Sequence, residues 1–274
     1  MAHFDRDGAL DPHVRATLLS LAGPGVEMLL VSTGLADGVE AGVDRVIRRD
    51  NRGYDFRSWQ AGLEVLGGLQ GYDEVVLLND SFYLARAGAL PAAFAAMAGR
   101  GFDVWGLTAS REERFHLQSY FMAFRPAAFE AGWFRRFWAG VMPDGDRAAV
   151  IARHELTLAA EARTAGLRVG ALLMPALWPG RTAIAERWRA RVAVAGRRAA
   201  VRTVVGGVLL GENTALRRWR ETCRVAGVVK VELLRDNPLG ADLAGLEECM
   251  ETACFARARA HLARVGAPGP VAPP

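Results

Sequence analysis

The chain has 274 residues, of which 51% are hydrophobic and 23% charged, with a formal net charge of +4. That composition excludes wholesale disorder, and the length is enough to bury a sizeable core without disulfide or metal staples. No run of 18 apolar, charge-free residues occurs, so no membrane-spanning helix is expected.

In chain order, Asp11-Pro12 reads as a helix start, with Asp11 as N-cap and Pro12 at the first helical position. Val14, Leu18 and Leu21 share a face of that helix, and Gly23-Pro24-Gly25 ends it. Residues 26–32 (VEMLLVS) read as a buried strand and 43–47 as a shorter strand leading into a polar loop. Asp55 is expected to cap a helix carrying Trp59, Leu63 and Leu66. Residues 74–78 (EVVLL) form another strand, which runs straight into Asn79-Asp80-Ser81. A helix opens near Pro91, strands follow at 103–107 and 119–124, and Pro126 opens an aromatic-rich helix. A helical stretch before Gly166 and a strand at 167–174 complete the pattern. Such alternation predicts an α/β layer with a mostly parallel sheet, whose ligands bind where strands end at their carboxyl edge.

After Pro179 the character changes. Residues 181–203 carry seven arginines against one acid, Glu186, and a Gly-rich apolar patch follows. A helical segment from Thr214, a short run VVKVELL (228–234) and a final helix over 239–265 are expected, then a Pro-rich disordered tail. The organisation expected is a domain at 1–180, a mainly helical basic extension at 181–265 and a tail at 266–274. The basic stretch reads as a packed helix with a solvated face or as a surface for anionic lipid. Of 34 basic residues only Lys230 is a lysine. Cys223, Cys249 and Cys254 cannot all pair and lack metal-ligand spacing, which suits buried thiols in a reducing cytosol. The acids in MAHFDRDGAL stand where a signal peptide would need an apolar core.

Two polar clusters follow strands. One is Asn79-Asp80-Ser81, where an acid at a strand tip is a common way to hold a metal and a diphosphate. The same triplet also reads as an Asx turn that only closes the strand. The other is 49–56 (RDNRGYDF), where a helix start attracts anions and Gly53 permits close backbone approach. Asn51 and Asp55 there suit a base or ribose hydroxyl, or the segment is a plain loop with Asp55 as helix cap. Further along, His116, Gln118, Ser119 and Tyr120 precede an apolar strand, or lie in a solvated loop. Glu155 is the acid nearest an apolar run, or one of a solvated helix face. No Gly-x-x-x-x-Gly-Lys-Ser/Thr loop, Gly-x-Ser-x-Gly elbow, His-Glu-x-x-His or early Gly-x-Gly-x-x-Gly is present.

Taken together, HFDRDG (3–8), LLVSTG (29–34), RDNRGYDFRSWQAGL (49–63), YDEVVLLNDSFY (72–83), DVWGLTAS (103–110), HLQSYFMAFR (116–125), the HEL around Glu155 and VKVELLRDNPLG (229–240) resemble the rhamnan synthesis protein F family of bacterial polysaccharide glycosyltransferases. The resemblance implies a GT-A-like, Rossmann-type α/β fold that holds a nucleoside-diphosphate sugar at the strand tips. It places Asp80, with Asn79 and Ser81, at the metal and diphosphate, and Asn51, Gly53 and Asp55 beside the nucleotide. Glu155 falls where an acceptor-side base is expected, and His116, Gln118, Tyr120, Arg125 and Lys230 become candidates for acceptor or diphosphate contacts. The triplet holds one acid where the family pattern has two, so Mg²⁺ or Mn²⁺ at Asp80 has an alternative in diphosphate binding by Arg48, Arg49 or Arg125. The implied first strand should precede HFDRDG, yet only Met1-Ala2 do so.

The expected function is therefore transfer of a sugar, with dTDP-rhamnose suggested by the family's name, to a surface polysaccharide or lipid-linked glycan. The protein is expected in the cytoplasm or peripherally on the inner membrane face. A catalytically impaired homologue that binds glycan or scaffolds an assembly is the alternative. Nucleic acid is not an expected partner, because 30 acids offset the basic residues and no basic–aromatic motif appears.

Overall fold

A computed structural model describes residues 1–143, 145–175 and 212–267. The arginine-rich stretch at 181–203, the Gly-rich patch and most of the Pro-rich tail lie outside the described residues.

Three strands, β1 (Ala2–His3), β2 (Leu29–Ser32) and β3 (Arg45–Arg48), form a small parallel sheet in the order β1-β2-β3. The first strand has two residues, and Ala2 pairs with Val31. Between β1 and β2 runs α1 (Pro12–Leu21), whose Val14 and Leu18 pack with Leu30 and Leu35 in a small apolar cluster. Pro12 does open this helix, but the Asp11 side chain makes no cap bond. Its carboxylate accepts from Arg264 instead, a partner that local pattern could not supply.

The larger sheet holds β4 (Val75–Leu78), β8 (Phe121–Phe124), β6 (Val104–Ser110) and β9 (Val169–Leu173), with β7 (His116–Leu117) folding back on the end of β6. Strand β8 lies antiparallel between β4 and β6, and β9 runs parallel to β6. Thus β4, β6 and β9 share one direction, and β8 and the short β7 oppose it. The side chains of β8 alternate between two cores: Phe121 and Ala123 face one, Met122 and Phe124 the other. Burial on both faces explains why these strands read as continuous apolar runs.

On the second face lie α2 (Tyr54–Leu66), α4 (Pro126–Phe129), α5 (Gly132–Ala139) and α7 (Leu156–Thr164), built around Trp59, Trp133, Phe137 and Trp138. The aromatic stretch expected as one helix is broken at 130–131. Helix α2 starts at Tyr54, so Asp55 lies in its first turn and not at its cap. Gly53 is the cap, with φ +81°. A Cβ there would come 2.8 Å from Arg57 Cβ and 3.0 Å from the Met142 carbonyl oxygen, so glycine is required by both backbone and space. Short helix α6 (Arg147–Val150) and a π-helical turn at Ile151–Glu155 lead into α7.

The first face is covered by α3 (Ala89–Ala98) and by the chain after residue 212: α8 (Thr214–Arg217), α9 (Trp219–Glu221), a π turn (Thr222–Ala226), β10 (Val228–Lys230), α10 (Val231–Arg235), α11 (Leu246–Cys249) and α12 (Thr252–Arg264). Strand β10 pairs antiparallel with β5 (Phe82–Leu84). Trp219, Cys223, Leu233 and Leu262 are buried in one core with Trp105 and Phe121. This part of the expected extension therefore shares its core with the first half. The run at 228–234 divides into a strand and a helix, and the final helix begins at Thr252.

Arg125, at the end of β8, donates to the Met97 (2.8 Å) and Phe102 (3.0 Å) carbonyls and pairs with Glu74 at 3.3 Å. Arg125→Met removes this fastening of β8 to α3. A loss of about 2 kcal/mol is expected, read as a lower urea midpoint with an unchanged denaturant slope.

Candidate active site

The tip of β4 opens into a cleft of about 560 Å³ whose lining includes Asn79, Asp80, Ser81, Asp55, His116, Gln118, Tyr120, Glu155 and Lys230. Asn79 organises the floor. Its backbone N–H donates to the Tyr120 carbonyl (3.2 Å), and its Nδ2 donates to Asp55 Oδ2 (2.8 Å). Its Oδ1 accepts from the Ser81 N–H (3.1 Å) and hydroxyl (2.6 Å). The Asx turn and the strand-tip acid thus coexist: Asn79 makes the turn, and Asp80 is left to the cleft.

Asp80 Oδ2 accepts from the Phe4 N–H at 2.8 Å, which ties β1's end to β4's. Burial, and next the nearby Asp55 carboxylate, push the Asp80 carboxyl up to about 7, with the Phe4 N–H and Lys230 opposing them. Burial also raises Asp55, against the Asn79 hydrogen bond and the Lys230 charge. The Lys230 ammonium donates to Ser81 Oγ (2.8 Å) and sits 4.7 Å from the centre of the Tyr120 ring. Loss of water lowers its pKa to about 8, while Glu155, Glu232 and Asp55 pull it upward. Glu155, at the end of the π turn, accepts from the Ser119 N–H at 3.0 Å.

Tyr120 is buried, and its hydroxyl bonds Thr108 Oγ1 at 2.8 Å, so burial raises the phenol well above its ordinary range. His116 is buried and not solvated, with Nδ1 2.9 Å from the Arg114 carbonyl oxygen. Gln118 donates to Asn213 Oδ1 (2.9 Å) and accepts from the Ala215 N–H (3.1 Å), which joins the cleft wall to the chain after 212.

Three arginines and two loop residues considered from sequence go elsewhere. Arg125 sits at the opposite end of β8 from the cleft, because β8 is antiparallel: Phe121 pairs with Leu78 at the β4 tip and Phe124 with Val75 at its start. Its placement as a diphosphate contact is corrected accordingly. Asn51 is exposed and, like Gly53, does not line the cleft. Arg48 donates to the Leu35 and Ala36 carbonyls, and Arg49 to Ser58 Oγ at 3.0 Å, so both guanidiniums hold the loop together. From that loop the structure brings Tyr54 and Asp55 to the cleft. Tyr54 has φ +50°, an uncommon setting for a tyrosine, directly beside Asp55.

Residues the sequence did not single out also line the cleft: His3, Asp11, His13, Arg147, Asn213 and His261. The crowding of acids and histidine in 3–13 was a visible signal, whereas nothing local pointed to His261 or Asn213.

Residues 32–181 match the family described as rhamnan synthesis protein F. The chain is 29% identical over 134 residues to virulence protein VirA of Vibrio anguillarum, over 47% of this chain and 42% of that protein, so it spans about two-fifths of the length of the curated relative it matches. Among solved structures, a mannosyltransferase from Pyrobaculum calidifontis in complex with GDP-Man and Mn²⁺ aligns over 97% of this chain and 78% of its own, at 14% identity and a TM-score of 0.42.

Folded Asp80 keeps its proton up to about pH 7, whereas the unfolded carboxyl releases it near 3.8. Between those values the folded chain binds more protons, so this residue makes stability fall as pH rises. Metal-free Asp80→Asn should lack that contribution and gain on the wild type as pH rises across this window. Urea midpoints measured along a pH series check this, and a constant difference between the two proteins would contradict it.

Proposed function

The chain belongs to the rhamnan synthesis protein F family, and on that premise we propose that the β4-tip cleft is the donor site of a glycosyltransferase. It takes a nucleoside-diphosphate sugar and passes the sugar to a hydroxyl of a glycan or lipid-linked acceptor. Rhamnose, carried as its dTDP form, is the first donor to test, because the family's description names its polymer. The observation that carries the reading is convergence: Asp55, Asp80, Glu155 and Lys230 come from four separate segments and line one cleft.

In this reading Lys230, held by Ser81 and Tyr120, faces the diphosphate, and Arg147 adds a second positive charge from the same lining. Asn79 and Asp55 hold the donor's polar groups. The Asp55 carboxylate raises the proton affinity of Asp80, and such an oxygen-only pair suits Mg²⁺ or Mn²⁺. A cation held by Asp80 would offset charge on the leaving diphosphate. Glu155, oriented by the Ser119 N–H, is the base that takes the acceptor hydroxyl's proton as that oxygen attacks the anomeric carbon. His116 and Gln118 line the acceptor side.

No helix among the described residues is long and apolar enough to cross a membrane. Peripheral contact through 181–203 rests on residues outside those described.

Thermal shift against a panel of nucleoside-diphosphate sugars, with and without Mn²⁺, followed by transfer assays on the stabilising donors, tests the reading. Binding of glycan with no nucleotide-sugar binding across the panel would favour a scaffold role. Glu155→Gln is expected to slow transfer about 10²- to 10⁴-fold with donor affinity unchanged. Lys230→Met should instead weaken donor binding about tenfold or more, since one charge-assisted contact is lost; calorimetric titration of the donor separates the two effects.

A further inference from the structure

Beside the donor cleft, helices α1 and α12 bring together a second group of side chains that sugar transfer does not use. Asp11, His13 and His261 each offer one ligand atom, and these atoms all lie within 4.8 Å of one another. Asp11 and His13 are each 5% exposed, and the His13 Nδ1 is buried with no hydrogen-bond partner among the described residues. The two imidazole rings stand 4.5 Å apart, centre to centre. His261 Nε2 points to Asp11 Oδ2 at 3.6 Å, and its Nδ1 is 2.6 Å from the Tyr83 hydroxyl.

We propose that Asp11, His13 and His261 form a site for one late first-row divalent cation of the zinc class, which would clamp the first and last helices together at the cleft wall.

Two nitrogens and one carboxylate are a donor set that suits such cations, and the Tyr83 hydroxyl on His261 Nδ1 fixes the ring as a supporting contact does for a ligating histidine. The local charge also favours a cation. Arg264 donates to Asp5, Asp7 and Asp11, so three carboxylates face one guanidinium and negative charge is left over. Tetrahedral zinc needs ligand atoms about 3.3 Å apart, given bonds near 2 Å, so the side chains close inward by at most about 1.5 Å on binding, with Asp11 turning in part from Arg264. The donor set differs from that at Asp80, where oxygens alone are offered, and the proposal does not depend on the sugar-transfer reading.

The test uses the full chain freed of metal with a chelator, then titrated with ZnCl₂ by calorimetry and with CoCl₂ by visible absorption. One equivalent of zinc is expected, together with a cobalt spectrum of low-coordinate nitrogen and oxygen ligation and no thiolate charge-transfer band. His13→Ala and His261→Ala should each lose that equivalent. Tyr83→Phe should weaken it 10- to 100-fold, and Asp80→Asn should keep it. The wild-type cobalt spectrum needs no variant, so a misfolded variant leaves the test intact. Absence of a bound equivalent in the wild type, a thiolate band from the cysteines, or loss of zinc in Asp80→Asn with retention in a folded His13→Ala/His261→Ala protein would each overturn the proposal.

Discussion

The antiparallel insertion of β8 between β4 and β6 is the constraint on which the cleft depends. Pairing Leu78 with Phe121 sets Tyr120 directly beside Asn79, and the Asn79 N–H closes that register on the Tyr120 carbonyl. A side chain's face reverses with each residue of slip. The same register gives Phe121 and Ala123 to one core and Met122 and Phe124 to the other. Cleft geometry and core packing are therefore fixed by the same ladder, and a shift that spoiled one would expose large aromatics from the other.

Lys230 closes the arrangement. It ends β10, which is paired to β5, and β5 begins one residue after the Asn79-Asp80-Ser81 turn. The ammonium thus reaches Ser81 and the Tyr120 ring from a strand about 150 positions later in the chain. Cation–π contact and a hydroxyl partner compensate only part of the lost hydration, which is why its proton affinity is lowered while that of Asp80 and Asp55 is raised. A site in which acids hold protons more tightly and a lysine less tightly is poised to exchange charge with an arriving anion. A guanidinium would keep its charge there and present a planar fork in place of a compact point charge. That difference gives a physical reason for one lysine in a chain otherwise using arginine.

The first and last helices form the wall on the other side. Their contact holds a concentration of charge, with Asp5, Asp7 and Asp11 gathered on Arg264 and two histidines next to them. His13 Nε2 also lies 3.3 Å from the Asp80 carbonyl oxygen, so this wall and the β4 tip are in direct contact. Events at the helix pair have a short physical route to the proposed donor site.

Much of this was legible in the sequence. Apolar runs bounded by turn residues marked the strands, because strands buried on both faces must be apolar throughout. Strand-tip position singled out Asn79, Asp80 and Ser81, and Glu155 and Lys230 do reach the same cleft. Helix ends were less legible: Asp11 and Asp55 both carry good capping chemistry, yet their carboxylates are taken by Arg264 and Asn79, since tertiary partners outbid local ones. Strand direction was not legible at all. Residues 116–125 read the same whichever way the strand runs, and only the pairing of β8 with β4 sends Gln118 and Tyr120 to the cleft and Arg125 to the far end. Likewise Asn51 and Arg49 do not line the cleft, while α2 carries Asp55 to it. Sequence determined the element types, the family and the acid at the strand tip, because these depend on local chemistry. Tertiary structure decided which residues meet, including His13 with His261, because contacts across 248 positions are set by packing of helices and register of strands.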